Sequence, residues 1–192
     1  MGPLPLILVP ILMLIIPAVS LLMEPIIEAI PYYQEFQELF VGMLGDNTLL
    51  IFATVAISAP ILEEILFRGI ILDGFLKNYS PTKAIIWSAI IFGLIHMNPY
   101  QFIGATLVGI LMGWIYWRTK SLWLCILIHF INNSLGFFLN WILELPEDSI
   151  EGTRALMNND SQYFMMLGVA GVVVLVGVFL LDRFMEKAEP VV

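Results

Sequence analysis

The chain has 192 residues, of which 60% are hydrophobic and 12% charged, with a net charge of −8 and a mean hydropathy of +0.93. Soluble domains carry about 45–50% apolar and about 25% charged residues, so this composition excludes a soluble globular domain and implies an integral, multi-pass membrane protein. The acidic balance excludes nucleic acid as a partner, and a single cysteine, Cys125, excludes an intrachain disulfide.

A bilayer core is crossed by about 20 apolar residues in a helix. Apolar runs near 4–23, 49–75, 83–97, 102–117, 121–143 and 163–181 therefore predict an all-α, polytopic transmembrane bundle of about six spans. Residues 1–192 read as a single integral membrane domain whose first partner is the lipid bilayer. Basic residues set its orientation. Lys77 and Lys83 flank the second-to-third connection, Arg118 and Lys120 the fourth-to-fifth, and Arg183 and Lys187 follow the sixth span. The alternate connections are acidic: Glu24, Glu28, Glu35, Glu38 and Asp46 lie in one, and Glu144, Glu147, Asp148, Glu151 and Asp160 in the other, with Arg154 the one basic residue there. The positive-inside rule then places both termini in the cytoplasm.

In the first span, Ala18-Val19-Ser20 has the small residues of a signal-peptide cleavage site. The segment lacks a basic n-region and its apolar run is long for an h-region, so a retained span is the better reading. After it, Phe36, Leu39, Phe40, Met43 and Leu44 share one helical face opposite Glu35, Gln37 and Glu38. That pattern predicts a short amphipathic helix on the outer surface, passive rather than a lid. In the fourth span Gly109 and Gly113 form a GxxxG pair that lets a neighbouring helix approach closely. Trp114, Trp117, Trp123 and Trp141 fall near span ends, as interfacial aromatic residues do. Cys125 reads as a small packing residue.

The chemistry is concentrated in three polar patterns inside these runs: Glu63-Glu64-x-x-x-Arg68, Phe92-x-x-x-His96 and His129-x-x-x-Asn133. Residues four apart share a helix face, so His129 and Asn133 point together and Glu64 can neutralise Arg68. Glu63 is turned about 100° away from Glu64. One acid is thus paired and the other is left for another task. With cytoplasmic ends at Leu76, Lys83 and Ser121, a rise of about 1.5 Å per residue puts Glu63 and His96 roughly 20 Å deep, Asn133 roughly 18 Å and His129 roughly 12 Å. These depths allow one polar layer. A bare charge at a helix centre costs about 2.5–3.5 kcal/mol on insertion scales, so three of them call for pairing, protonation or a water-filled cavity. Glu64 and Arg68 read as structural support, Phe92 as a packing partner that fixes the His96 ring, and Glu63, His96, His129 and Asn133 as a functional site. Asn98, Asn132 and Asp73 are polar neighbours with no assigned role.

The three patterns, in this order and on successive spans, resemble the motifs EExxxR, FxxxH and HxxxN/D of the CAAX protease and bacteriocin-processing family of intramembrane endopeptidases. The resemblance covers about residues 50–140, the motif-bearing core. It implies glutamate-type hydrolysis of a peptide bond near the C terminus of a protein or peptide, lipidated or not. Glu63 would be the base that takes a proton from water, with His96 orienting that water. His129 and Asn133 would form the oxyanion hole, and Glu64 and Arg68 would steady the second span. No cofactor is expected. The membrane would be a bacterial plasma membrane, or the endoplasmic reticulum of a eukaryote.

Two alternatives remain open at this level. A zinc-dependent intramembrane metalloprotease would use the same two histidines and a glutamate with an open position for water, although the chain has no HExxH. A non-catalytic immunity or scaffold protein would keep the fold without the chemistry. A channel or transporter is a weaker reading, since no paired repeat halves or broken-helix pattern is visible.

Overall fold

Helix ends in this chain follow the residues that supply or withhold backbone hydrogen bonds. The computed structural model describes residues 6–30, 47–143, 153–157 and 159–185. Among these residues there is no strand. We number the long helices α1 (Leu8–Glu28), α2 (Thr48–Leu76), α3 (Pro81–Leu94), α4 (Pro99–Thr119), α5 (Leu122–Leu143) and α6 (Asp160–Met185), with a 3₁₀ turn at Thr153–Leu156. The Asn47 side chain accepts the Leu50 N–H at 3.1 Å and starts α2. Pro81 and Pro99 open α3 and α4, where a missing N–H costs nothing. The amphipathic segment predicted at 36–44 lies outside the described residues.

The all-α membrane architecture read from the sequence is observed. α1, α2, α4 and α6 contain stretches long and apolar enough to cross a bilayer, while α3 and the apolar part of α5, Leu122–Leu135, are shorter. One boundary differs in a way that matters. The third run was expected to carry His96 within a span at 83–97, but α3 ends at Leu94 and His96 lies in the following turn. Met97 closes that turn at φ 50, a left-handed conformation usually given to glycine at a helix C-terminus. The 14 residues of α3 reach only about 21 Å at 1.5 Å per residue, short of the hydrocarbon thickness of about 30 Å. Irregular backbone at such depth is tolerated where it lines a water-filled cavity, and the turn opens onto a cavity.

α2 is not a uniform α-helix. π-helical stretches at Ala53–Ser58 and Ile65–Leu72 flank the α-helical turn Ala59–Glu64 that carries the two acids. Pro60 explains the first of them. A proline in a helix interior has no N–H and its ring collides with the preceding turn. The wider i→i+5 winding relieves that clash.

The core is apolar packing between helix faces. Leu8, Leu12, Ile15 and Ile16 of α1 are buried in one cluster with Leu181 and Met185 of α6, and with Phe67, Phe92, Met112, Ile115 and Leu124 at the centre. Cys125 belongs to it, fully buried, its thiol donating to the Met112 carbonyl at 3.5 Å. Gly109 and Gly113 lie against α3 as the spacing predicted: an added Cβ would stand 3.2 Å from Ala89 and 3.1 Å from Ile85. Charges gather at the two ends. At one, Lys120 and Lys77 pair with Asp73 at 2.9 and 3.8 Å, and Arg118 with Asp182 at 3.0 Å. At the other, Glu24 accepts from Thr153, and Arg154 lies 4.0 Å from Glu28 and 2.8 Å from Asp160. Asp73, unassigned in the sequence, is thus an end clamp.

The tightest helix contact is elsewhere. A Cβ on Gly93 would fall 2.2 Å from the Thr106 hydroxyl and 2.8 Å from the Phe102 carbonyl of α4, a backbone atom with little room to yield. Gly93→Ala is expected to destabilise the purified protein by about 1–3 kcal/mol, the usual cost of overpacking. Gly171→Ala, where an added methyl meets nothing within 4 Å, should leave the thermal midpoint unchanged or raise it. Midpoints measured in detergent check the contrast.

Candidate active site

α2 brings Glu63, Glu64 and Arg68, α3 and its terminal turn bring Phe92 and His96, and α5 brings His129 and Asn133. The centre of the arrangement is Glu64, whose side chain is fully buried. Its Oε1 accepts from Arg68 Nη1 at 2.8 Å and from His129 Nδ1 at 2.9 Å. A carboxylate bonded to a guanidinium is an acceptor only, so His129 donates from Nδ1. The predicted Glu64–Arg68 pair is therefore present, but Glu64 also fixes the ring of a histidine 65 positions further along the chain. Position in one sequence carries no signal for that contact.

Arg68 is held from three directions. Besides Glu64, its Nη2 donates to the Gly109 carbonyl at 3.2 Å, and its guanidinium sits 4.5 Å from the centroid of the Phe92 ring. The glycine that lets α4 approach α3 also exposes the carbonyl that Arg68 needs. Phe92 does more than pack beside His96. The rings of His96 and His129 both meet it edge-on, at centroid distances of 5.1 and 5.6 Å. One phenyl ring thus spaces both imidazoles and caps the arginine.

His96 is oriented by its own helix end. Its Nδ1 lies 2.9 Å from the Phe92 carbonyl. A carbonyl can only accept, so Nδ1 carries a proton and Nε2 is the ring nitrogen left to face the cavity side of the turn. Glu63 is turned away from Arg68, as helical geometry required. Its Oε2 stands 3.9 Å from His129 Nε2, is inaccessible to solvent and has no hydrogen-bond partner, while the side chain as a whole remains 26% exposed. An unpartnered buried carboxylate oxygen is costly, and such costs gather where chemistry needs them.

Asn133 is anchored by a consequence of Pro60. In the first π-helical stretch the Ala59 N–H bonds to the Thr54 carbonyl, five residues back. The next donor in that register for the Val55 carbonyl would be residue 60, a proline without an N–H. The Asn133 amide takes its place, donating from Nδ2 to Val55 O at 2.9 Å. Pro60, five residues after Val55, is the signal in the sequence that this carbonyl would need a partner.

A cavity of about 310 Å³ joins these groups, lined by His96, His129 and Asn133, with Phe92. α1 supplies a wall through Val19, Ser20, Met23 and Ile27, and α4 another through Gly104, Ala105, Val108 and Met112, with Gln101 near its start. Asn132 also lines it. Glu63 is not part of the lining and reaches it through His129. Three of the four residues expected to act together thus share one cavity, and the fourth stands against one of them. Among the described residues, no group of three or more His, Cys, Asp or Glu side chains is gathered closely enough to hold a metal ion.

The fold and site define an all-helical integral membrane protein with a buried acid–histidine–amide centre. Residues 45–135, which hold all three motifs, match the family described as type II CAAX prenyl endopeptidase Rce1-like. The resemblance to CAAX proteases read from the motifs is thereby shown over that stretch. A Bacillus subtilis (strain 168) protein named "Putative membrane peptidase YdiL" is 34% identical over 79 residues, 41% of this chain and 32% of that relative, so the match spans about a third of the relative's length. No solved structure matches the chain.

Removing one member of a buried ion pair strands the other and typically costs about 3–5 kcal/mol. Arg68→Met is expected to destabilise by that amount. Arg118→Met, at the solvent-screened pair with Asp182, should cost no more than about 1 kcal/mol. Reversible unfolding in mixed detergent measures both.

Proposed function

We propose that this protein is an intramembrane endopeptidase that hydrolyses a peptide bond near the C terminus of a protein or peptide, with Glu63 as its base. The observation that carries the reading is the unpartnered Glu63 Oε2 standing 3.9 Å from His129 Nε2, beside a cavity lined by His96, His129 and Asn133. Glu63 takes a proton from water that accepts orientation from the free Nε2 of His96. The water oxygen bonds to the scissile carbonyl carbon, and the carbonyl electron pair moves onto its oxygen. The Nε2–H of His129 and the second Nδ2–H of Asn133 stabilise that oxyanion. The intermediate collapses, the C–N bond breaks, and the proton held by Glu63 passes to the departing amine.

This role requires protons on both ring nitrogens of His129, since Nδ1 already donates to Glu64. The charges then balance: Arg68 and an imidazolium face the carboxylates of Glu63 and Glu64. Glu64 and Arg68 in this scheme steady His129 as well as α2. Preorganised donors in a site poor in water act far more strongly than in bulk solvent. No metal takes part in the scheme, and the substrate, lipidated or not, enters beside α1 and α4. The orientation inferred from the basic residues, with both termini cytoplasmic, puts the Lys77 and Lys120 end on the cytoplasmic side.

Purified protein in liposomes is expected to cleave candidate peptides. Glu63→Gln should lower kcat by about 10²–10⁴-fold, as loss of a general base does. Asn133→Ala should lower it by about 10²–10³-fold, the range for one oxyanion donor. Cleavage should survive exhaustive chelation. Equal cleavage by wild type and Glu63→Gln would remove Glu63 as the base, no cleavage by either would favour a scaffold, and a rate abolished by chelation and restored by zinc would favour the metalloprotease.

A further inference from the structure

Asn132 is an unspecified position within the third motif and the mechanism above does not use it, yet it sits in a continuous line of polar contacts at the cavity. Asn133 donates from Nδ2 to Val55 O at 2.9 Å, Asn132 donates from Nδ2 to Asn133 Oδ1 at 3.2 Å, and Ser20 Oγ of α1 stands 3.5 Å from Asn132 Oδ1 and 3.1 Å from Ile16 O. The direction of every bond in this line follows from one end. The Val55 carbonyl can only accept, so it must face the NH₂ of Asn133 and leaves Asn133 Oδ1 turned toward Asn132. That oxygen requires a donor, so Asn132 must present its own NH₂. Its Oδ1 is then left facing the one side chain of α1 able to donate to it, Ser20, whose single proton can turn to Ile16 O at 3.1 Å or to Asn132 Oδ1 at 3.5 Å.

An amide can rotate by 180° with little change in shape and thereby exchange donor for acceptor. Reversed, Asn133 would point an oxygen at Val55 O and lose the orientation that turns its remaining N–H toward the cavity. We infer that Asn132, backed by Ser20 on α1, is a positioning residue that locks the Asn133 amide with its donors on the oxyanion side. The inference rests on the peptidase reading for its kinetic consequence and on the bond line alone for its structural one. It also brings α1, which lies outside the matched residues 45–135, into control of the site.

The test sets an isosteric change against a truncation. Asn132→Asp keeps shape but puts an acceptor against Asn133 Oδ1, which drives the amide to turn over. Asn132→Ala only removes the support. If Asn132 acts by orientation, Asn132→Asp lowers kcat by about 10²-fold, comparable to losing an oxyanion donor, with KM nearly unchanged, and Asn132→Ala costs less. In an Asn133→Ala background the effect of Asn132→Asp should largely vanish, since coupled residues are non-additive. If Asn132 merely packs, Asn132→Ala is the worse variant and the Asn132→Asp effect is the same in both backgrounds. Either result overturns the inference. Side-chain amide hydrogen exchange of selectively ¹⁵N-labelled Asn133 supplies a readout that needs no substrate. Exchange should accelerate in Asn132→Asp and stay at the wild-type rate in Glu63→Gln; unchanged exchange in Asn132→Asp overturns the inference even if no peptide is ever cleaved.

Discussion

A carboxylate withdrawn from water needs donors, and Glu64 takes two of them on a single oxygen, a contact that organises the rest of this site. Its Oε1 receives both Arg68 from the next turn of α2 and His129 from α5. The first bond is local and neutralises charge. The second joins two helices and fixes which nitrogen of His129 faces Glu63. Because the pair is buried, neither partner can be withdrawn without leaving a charge uncompensated, so the same contact that sets the geometry also holds the helices in register. Arg68 extends it to α3 through Phe92 and to α4 through the Gly109 carbonyl. Four helices thereby converge on one acid.

The backbone contributes as much as the side chains. In lipid each peptide group needs a partner within the protein, so a carbonyl whose i+5 donor is a proline must find another. In both π-helical stretches of α2 a side chain from another helix donates to a carbonyl, on either side of the acids. The Val55 carbonyl takes the Asn133 amide, and the Phe67 carbonyl takes the Ser88 hydroxyl at 3.3 Å. A defect introduced by one proline thus becomes an anchor for a site residue. The α3–α4 turn works on the same principle: irregular backbone near His96 is compatible with the membrane because it opens onto a cavity.

The parts legible in the sequence are those governed by short range or by the solvent. Helix type followed from apolar run length, the Glu64–Arg68 pair from i,i+4 spacing, a close approach of some neighbour to α4 from Gly109 and Gly113, and the separation of Glu63 from Arg68 from the turn between adjacent residues. Contacts between helices were not legible, because spacing along one helix says nothing about which neighbour it faces. That is why the Glu64–His129 bond and the double duty of Phe92 emerged only from the fold. The His96 boundary was misread for another reason. Apolar content continues through Leu94, Ile95 and Met97, so hydropathy saw no end, whereas Pro99 and the left-handed Met97 mark the break in backbone terms.

The cavity divides chemistry from recognition along the chain. The groups given catalytic roles in the proposed function come from α2, the turn after α3, and α5, all inside the stretch that resembles CAAX endopeptidases. The facing wall of Val19, Ser20, Met23 and Ile27 comes from α1, outside it. That wall is set by different forces: Ile11 and Ile15 pack against Gly177 of α6, and Glu24 and Glu28 tie its far end to Thr153 and Arg154. A bound peptide would touch both halves, but only one half carries the likeness. The family resemblance therefore covers one side of the cavity and does not reach the α1 wall. Ser20 is where the halves meet, since it lines the cavity from α1 and stands 3.5 Å from Asn132 Oδ1 of α5. In the peptidase proposed here, a substrate that competed for the Ser20 proton would shift the support beneath Asn133, and the α1 wall would then bear on catalysis as well as on recognition.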